Sequence, residues 1–256
     1  MSDPLLRAIS GPTTGSLVFA FPPAGSGPSI FRQWLPVRPR GLELIAIHTP
    51  GREDRCSEPP VSSVKPLADD IAAAIDEYSE RPYVIFGHSA GALLGREVAW
   101  RLRRSNRPVR LLIAAGSAAP DVTVDDSLAE ADDVTLSRVM HEWGGISQEV
   151  LNSDAAEVIL PCMRADMALA NACRRDHPPT AEDRLDIPIA ALAGADDSAI
   201  HLPDCQRWST WTDAASTFQV LPGGHFFPFE QPAAVLEFIE RDAGGLGGPV
   251  TTRTAG

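Results

Sequence analysis

The run Tyr83-Val84-Ile85-Phe86 meets Gly87-His88-Ser89-Ala90-Gly91 and passes directly into Ala92-Leu93-Leu94-Gly95-Arg96-Glu97-Val98-Ala99-Trp100. The first run has the β-branched and aromatic character of a buried strand, and the last has helical periodicity. A G-x-S-x-G pentapeptide between strand and helix is the setting of a nucleophile elbow. There a serine sits on a sharp, strained turn with its hydroxyl above the sheet edge. Gly87 and Gly91 fall two residues either side of Ser89, where a Cβ would strike the neighbouring strand or helix. The pentapeptide alone is a weak signal; its position between strand and helix makes Ser89 a candidate nucleophile.

Further strands are predicted on both sides of this one: Leu17–Phe21, Leu42–Ile47, Arg110–Ala115, Ile187–Ala193 and Thr217–Leu221. Between them, helices are predicted around Ile30–Leu35, Pro66–Glu80, Leu202–Trp211 and Ala233–Arg241. Strands alternating with helices imply a mostly parallel α/β sheet. Residues 1–16, rich in Pro, Gly, Ser and Thr, read as a loose lead-in. From Asp121 to about Asp186 the pattern turns helical and acidic without a strand, as expected of a helical insertion over the sheet that acts as a mobile lid. The expected organisation is one domain over residues 1–242, with its core in 17–120 and 187–242. Residues 243–256 carry Gly244-Gly245-Leu246-Gly247-Gly248 after a helix and read as a flexible tail.

Several function classes are excluded by composition. A formal net charge of −12 argues against binding nucleic acid, which needs a basic surface. No apolar run has the length to cross a bilayer, and Met1–Leu5 lacks the basic-then-apolar order of a signal peptide. A cytoplasmic monomer with no membrane partner is therefore expected. Cys56, Cys162, Cys173 and Cys205 form no C-x-x-C pair and read as free thiols. The six histidines show no metal-ligand spacing, so neither metal nor cofactor is expected.

In an open α/β sheet, ligands meet the carboxyl ends of the strands. Those ends carry Pro23-Ala24-Gly25, His48, Ser89, Gly116-Ser117, Asp196-Asp197 and His225. A serine hydroxyl needs a base to take its proton, and the base needs an acid to hold its tautomer. The order Ser89, Asp, His225 is that of α/β-hydrolases. His225, after Gly223-Gly224, is the expected base; His88 points elsewhere and His48 is structural at its strand end. His141, His177 and His201 are expected in solvent. Asp197, three residues beyond the glycine ending its strand, is preferred as the acid over Asp196. Asp121 and Asp166 are candidates only if the acid has moved to another strand or to the insertion. For the oxyanion, the expected donors are the backbone amides of Ala90 and Ala24, since Pro22 and Pro23 have none to give.

Five motifs together carry a resemblance: Phe21-Pro22-Pro23-Ala24-Gly25 with Trp34, Pro50-Gly51-Arg52-Glu53, Gly87–Ala92, Leu160–Asp166, and Gly223-Gly224-His225-Phe226-Phe227. In order and spacing, from about Phe19 to Phe238, the chain resembles the type II thioesterases, free-standing α/β-hydrolases of polyketide synthase and nonribosomal peptide synthetase pathways. The resemblance implies an editing hydrolase that clears stalled acyl groups from the phosphopantetheine arm of acyl or peptidyl carrier proteins. It implies Ser89 as the acylated residue, His225 as base, Asp197 as its orienting acid and the insertion as the lid over the acyl chamber. Ala90 departs from the family's frequent methionine, and Pro228 from its usual aliphatic residue. A chain-releasing thioesterase or cyclase, a generic serine esterase and a non-catalytic binding protein are the alternatives. A local basic or apolar patch near the lid is expected to face the carrier, with Arg164, Arg174 and Arg175 as candidates.

Overall fold

The computed structural model describes residues 3–39, 41–78, 81–103, 109–123, 127–175 and 177–245. Seven strands form one sheet in the order β1-β3-β2-β4-β5-β6-β7. They are β1 (Leu6–Ala8), β2 (Ser16–Phe21), β3 (Leu42–Ile47), β4 (Tyr83–His88), β5 (Val109–Ala115), β6 (Ile189–Gly194) and β7 (Ser216–Leu221). All neighbours pair in parallel except β1, which runs antiparallel to β3 with Leu6 opposite Ile47. This edge strand corrects the reading of residues 1–16 as a loose lead-in. Three residues with a single buried side chain, Leu6, are too few to show a period, so only pairing reveals the strand.

The sheet is covered on both faces, which is why its strands are apolar throughout. Alternate residues separate cleanly between the two sides. Phe19, Phe21 and Ile85 pack with Ile71 and Ile75 of α1 (Val64–Tyr78) and Val98 of α2 (Ala90–Leu102). Val18, Ala20, Val84 and Phe86 face the other way, toward Phe31 and Trp34. Those two rings sit on a 3-10 helix, Pro28–Val37, where a short helix around Ile30–Leu35 is expected. Pro28 and Pro36 lie at its two ends, and neither has an N–H to donate. The same face is closed by Val235, Leu236 and Ile239 of the C-terminal helix, Pro232–Gly245. The rest of the expected tail, residues 246–256, lies outside the described residues, as does Glu80 at the end of an expected helix.

Between β5 and β6 the chain leaves the sheet. It forms α3 (Asp133–Glu142), α4 (Gln148–Leu151) and α5 (Ala156–Ala172), with no sheet strand among the described residues. Asp132 caps α3 by accepting the Thr135 amide at 2.7 Å. The insertion has a small core of its own, Leu136, Met140, Leu151, Leu160 and Met163, and Ala24 of the loop after β2 packs into it. After β6 come α6 (Leu202–Gln206), a 3-10 turn Arg207–Trp211, then β7 and α7 (Phe227–Glu230), which precedes the C-terminal helix α8.

Candidate active site

β4 is the middle strand, and the chain order reverses around it: β2 and β3 lie to one side, β5 to β7 to the other. Ser89 follows β4 directly, with φ 54° and ψ −122°, a conformation costly for any residue with a Cβ. Its amide is held by the Ala115 carbonyl at 2.8 Å. Room for so sharp a turn comes from the glycines: a Cβ on Gly87 would lie 2.4 Å from the Ala92 Cα, and one on Gly91 2.4 Å from the Phe21 carbonyl oxygen.

The structure brings Ser89, His225 and Asp197 together from the ends of three strands. His225 Nε2 lies 3.2 Å from Ser89 Oγ, and its Nδ1 lies 2.9 Å from Asp197 Oδ2. The other carboxylate oxygen of Asp197 accepts the amides of Ala199 and Ile200 at 2.8 and 3.1 Å. Burial pushes the Asp197 carboxyl up. The bond to His225, that residue's charge and the two amides outweigh burial, and the group stays below the usual carboxylate range. Asp196, the alternative acid, is exposed, and its backbone amide bonds to the Gly223 carbonyl at 2.9 Å. Ala24 and Ala90 both line a cavity of about 330 Å³ above Ser89. Ile200, Met163 and Met167 make its wall largely apolar, and Ser117, Asn171 and Arg174 add polar groups.

The remaining sequence candidates have other partners. His88 is fully buried and its Nε2 donates to the His225 carbonyl at 2.8 Å. His48 is buried between Arg7, whose guanidinium donates to Nδ1, and the Arg52 carbonyl, which accepts from Nε2. His141, His177 and His201 are exposed. Asp121 accepts from the Trp211 indole at 2.8 Å and from Arg207. The three arginines read as docking candidates also bond within the chain. Arg164 bonds to Ala129, Ala131 and Asp133, Arg174 to Ala119 and Val122, and Arg175 to Glu97.

Trp143 escapes the sequence reading, and Asp166, read there as a fallback acid, has a different place. Trp143, which ends α3, places its ring 5.6 Å from the His225 imidazole, so the insertion shields that imidazole from solvent. Asp166, on α5, binds Arg52 and the Gly25 amide beside Ala24. The Pro-Gly-Arg and Arg-Ala-Asp motifs were its only sequence signal, and neither names its partner.

Comparison with known proteins gives this geometry its context. The family described as "Thioesterase domain" matches residues 17–243. A probable cadicidin biosynthesis thioesterase of Streptomyces griseus is 34% identical over 213 residues, covering 81% of this chain and 56% of its own length. The type II thioesterase BorB of the borrelidin cluster superposes with a TM-score of 0.82 at 27% identity, over 94% of this chain and 98% of BorB. YbtT, a type II thioesterase of the yersiniabactin pathway, superposes with a TM-score of 0.84 at 25% identity, over 93% and 97% of the two chains. The central parallel sheet with its helical insertion is the α/β-hydrolase fold of these enzymes. The chain belongs to the thioesterase family, and it resembles the family's type II members.

Proposed function

We propose that this enzyme hydrolyses stalled or aberrant acyl groups from the phosphopantetheine thiol of acyl or peptidyl carrier proteins, in polyketide or nonribosomal peptide assembly. The observation that carries the reading is the continuous relay from Asp197 through His225 to Ser89, set at the mouth of a largely apolar cavity. Ser89 Oγ attacks the thioester carbonyl while His225 Nε2 takes its proton. Asp197 holds the Nδ1–H tautomer and stabilises the imidazolium that forms. The tetrahedral oxyanion rests on the amides of Ala24 and Ala90. Collapse expels the pantetheine thiolate, which takes the proton from His225, and leaves an acyl ester on Ser89. A water then gives its proton to His225, attacks the ester, and the acid departs as Ser89 is reprotonated. The products are a free carboxylic acid and a free carrier thiol.

An editing role is supported by the resemblance to BorB and YbtT, each described as a type II thioesterase. A basic or apolar patch beside the insertion remains the proposed docking surface for the carrier. The test is intact-mass spectrometry of propionyl-loaded carrier protein incubated with wild type and with Ser89→Ala. Loss of the propionyl mass with wild type alone is the expected result. Cleavage of simple esters without carrier deacylation would overturn the editing role. A wild type inert toward both would favour a binding protein.

A further inference from the structure

Two of the motifs that carry the resemblance take no step in this chemistry, yet they meet beside it. Arg52, in the loop after β3, donates from Nη1 and Nη2 to the two oxygens of Asp166 on α5, at 2.6 and 2.9 Å. Asp166 Oδ2 also accepts the Gly25 amide at 2.8 Å, and Arg52 Nη1 donates to the Ser26 carbonyl at 2.9 Å. The pair thus grips the two residues immediately after Ala24. Both side chains are mostly buried, at 6% and 13% exposure, and a bidentate pair in that setting fixes orientation as well as distance.

The loop needs such a grip. β2 ends at Phe21, and Pro22 and Pro23 have no N–H with which to bond to the sheet. The turn after them bonds to itself, with the Ser26 amide on the Pro23 carbonyl at 3.1 Å. Gly25 lies flat on α5 at φ 73°, where a Cβ would come within 3.2 Å of Met163. Ala24 packs into the insertion's own core. The loop is therefore located by the insertion and by Arg52.

We propose that Asp166, with Arg52, is a positioning residue for the oxyanion donor: it holds Ala24 at the height the oxyanion requires and ties that height to the docking of α5. This rests on the role proposed above for the Ala24 amide. Lifting α5 removes the acceptor from Gly25, so the oxyanion site is complete only with the insertion in place.

The test compares wild type, Asp166→Ala, Asp166→Asn and Arg52→Gln on p-nitrophenyl propionate. It also measures inhibition by propylboronic acid, whose tetrahedral adduct on Ser89 puts an oxygen in the oxyanion site, and thermal unfolding. Asp166→Ala is expected to lower kcat about 10- to 100-fold, somewhat less than outright loss of an oxyanion donor. KM stays within about twofold, and boronate affinity falls in proportion to kcat. Asp166→Asn keeps an oxygen for Gly25 and recovers part of the loss. A folded Asp166→Ala with wild-type kcat overturns the inference, as does a fall in kcat with undiminished boronate affinity. Should Asp166→Ala fail to fold, Asp166→Asn and Arg52→Gln are read by the same criteria. Wild-type turnover of the ester reports on the proposed function separately, because this inference is read only from ratios to wild type.

Discussion

His88 Nε2 donates to the backbone carbonyl of His225 across 2.8 Å, so the residue before Ser89 holds the loop that carries His225. With Nε2 donating, Nδ1 is left unprotonated, buried and without a hydrogen-bond partner. Burial, aided by the charge of His225, lowers the His88 pKa to about 3. In the folded protein this histidine is neutral at pH 7.

That neutrality has a pH signature. The folded-state pKa lies below the unfolded value of 6.5, so the unfolded chain takes up a proton first as pH falls. Stability is full above pH 6.5 and declines toward pH 3. The loss from this one group is on the order of 3 kcal/mol at pH 4. In His88→Phe the unfolding free energy, measured by urea titration from pH 7 to pH 4, falls less steeply than in wild type. Its kcat at pH 7 drops by about tenfold, because the His225 carbonyl loses its donor. Parallel slopes would show that His88 does not titrate on unfolding.

Ser89 holds a conformation that suits only glycine without strain. Ser89→Ala and Ser89→Gly both abolish acyl transfer, but they separate in stability. The glycine variant is the more stable by about 1 kcal/mol, after the entropy glycine adds to the unfolded chain is subtracted. For a domain of this size that is a rise in Tm of roughly 2–4 °C, readable by calorimetry.

The two adjacent aspartates are expected to differ sharply. Asp197→Asn keeps the shape but can present an amide N–H to His225 and favour the wrong tautomer. A kcat loss of about 10⁴-fold follows by analogy with the serine-protease triad. Asp196→Asn changes an exposed side chain and leaves kcat/KM within about twofold. Steady-state kinetics on a short acyl thioester decide it; comparable losses in both variants would undo the assignment of the acid.

Glu97 on α2 accepts from Arg96 at 2.7 Å, Arg101 at 3.1 Å and Arg175 at 2.8 Å. Arg96 is buried, and its guanidinium stacks 4.8 Å from the Trp211 ring centre. Because Arg175 follows α5, this cluster fastens the exit of the insertion to α2, the helix that follows Ser89. Glu97→Gln leaves a buried guanidinium without a counter-charge and costs about 3–5 kcal/mol. Asp69→Asn, at an exposed partner of Arg101, leaves Tm unchanged. Differential scanning of the two variants side by side checks the contrast.

Much of the fold was legible because strands and helices write their periods locally. Phe19 and Ile85 against Val18 and Val84 already showed strands apolar on both faces, and Gly87-His88-Ser89-Ala90-Gly91 marked the turn. Other elements left no local trace. β1 has three residues and one buried side chain. The expected helix over Leu202–Trp211 tightens to a 3-10 turn at Arg207, where Trp208 and Trp211 are drawn into the core. The short helix Phe227–Glu230 forms where Trp34 donates to the Pro228 carbonyl at 2.9 Å, a contact between segments far apart in the chain.

The sequence by itself determined which residue types stood at the carboxyl ends of the strands, because strand, turn and helix signals are short-range. It favoured Asp197 over Asp196 by position after the strand-ending glycine, but said nothing of where either side chain points. Only the tertiary structure decided that Asp197 turns inward to His225 while Asp196 faces solvent, since the choice depends on amides of Ala199 and Ile200 and on a loop from another strand. The same holds for the meeting of Arg52, Asp166 and Gly25. Periodicity records which face of an element is apolar. Which distant polar groups meet is settled by how the chain closes on itself, where every buried donor and acceptor must find a partner.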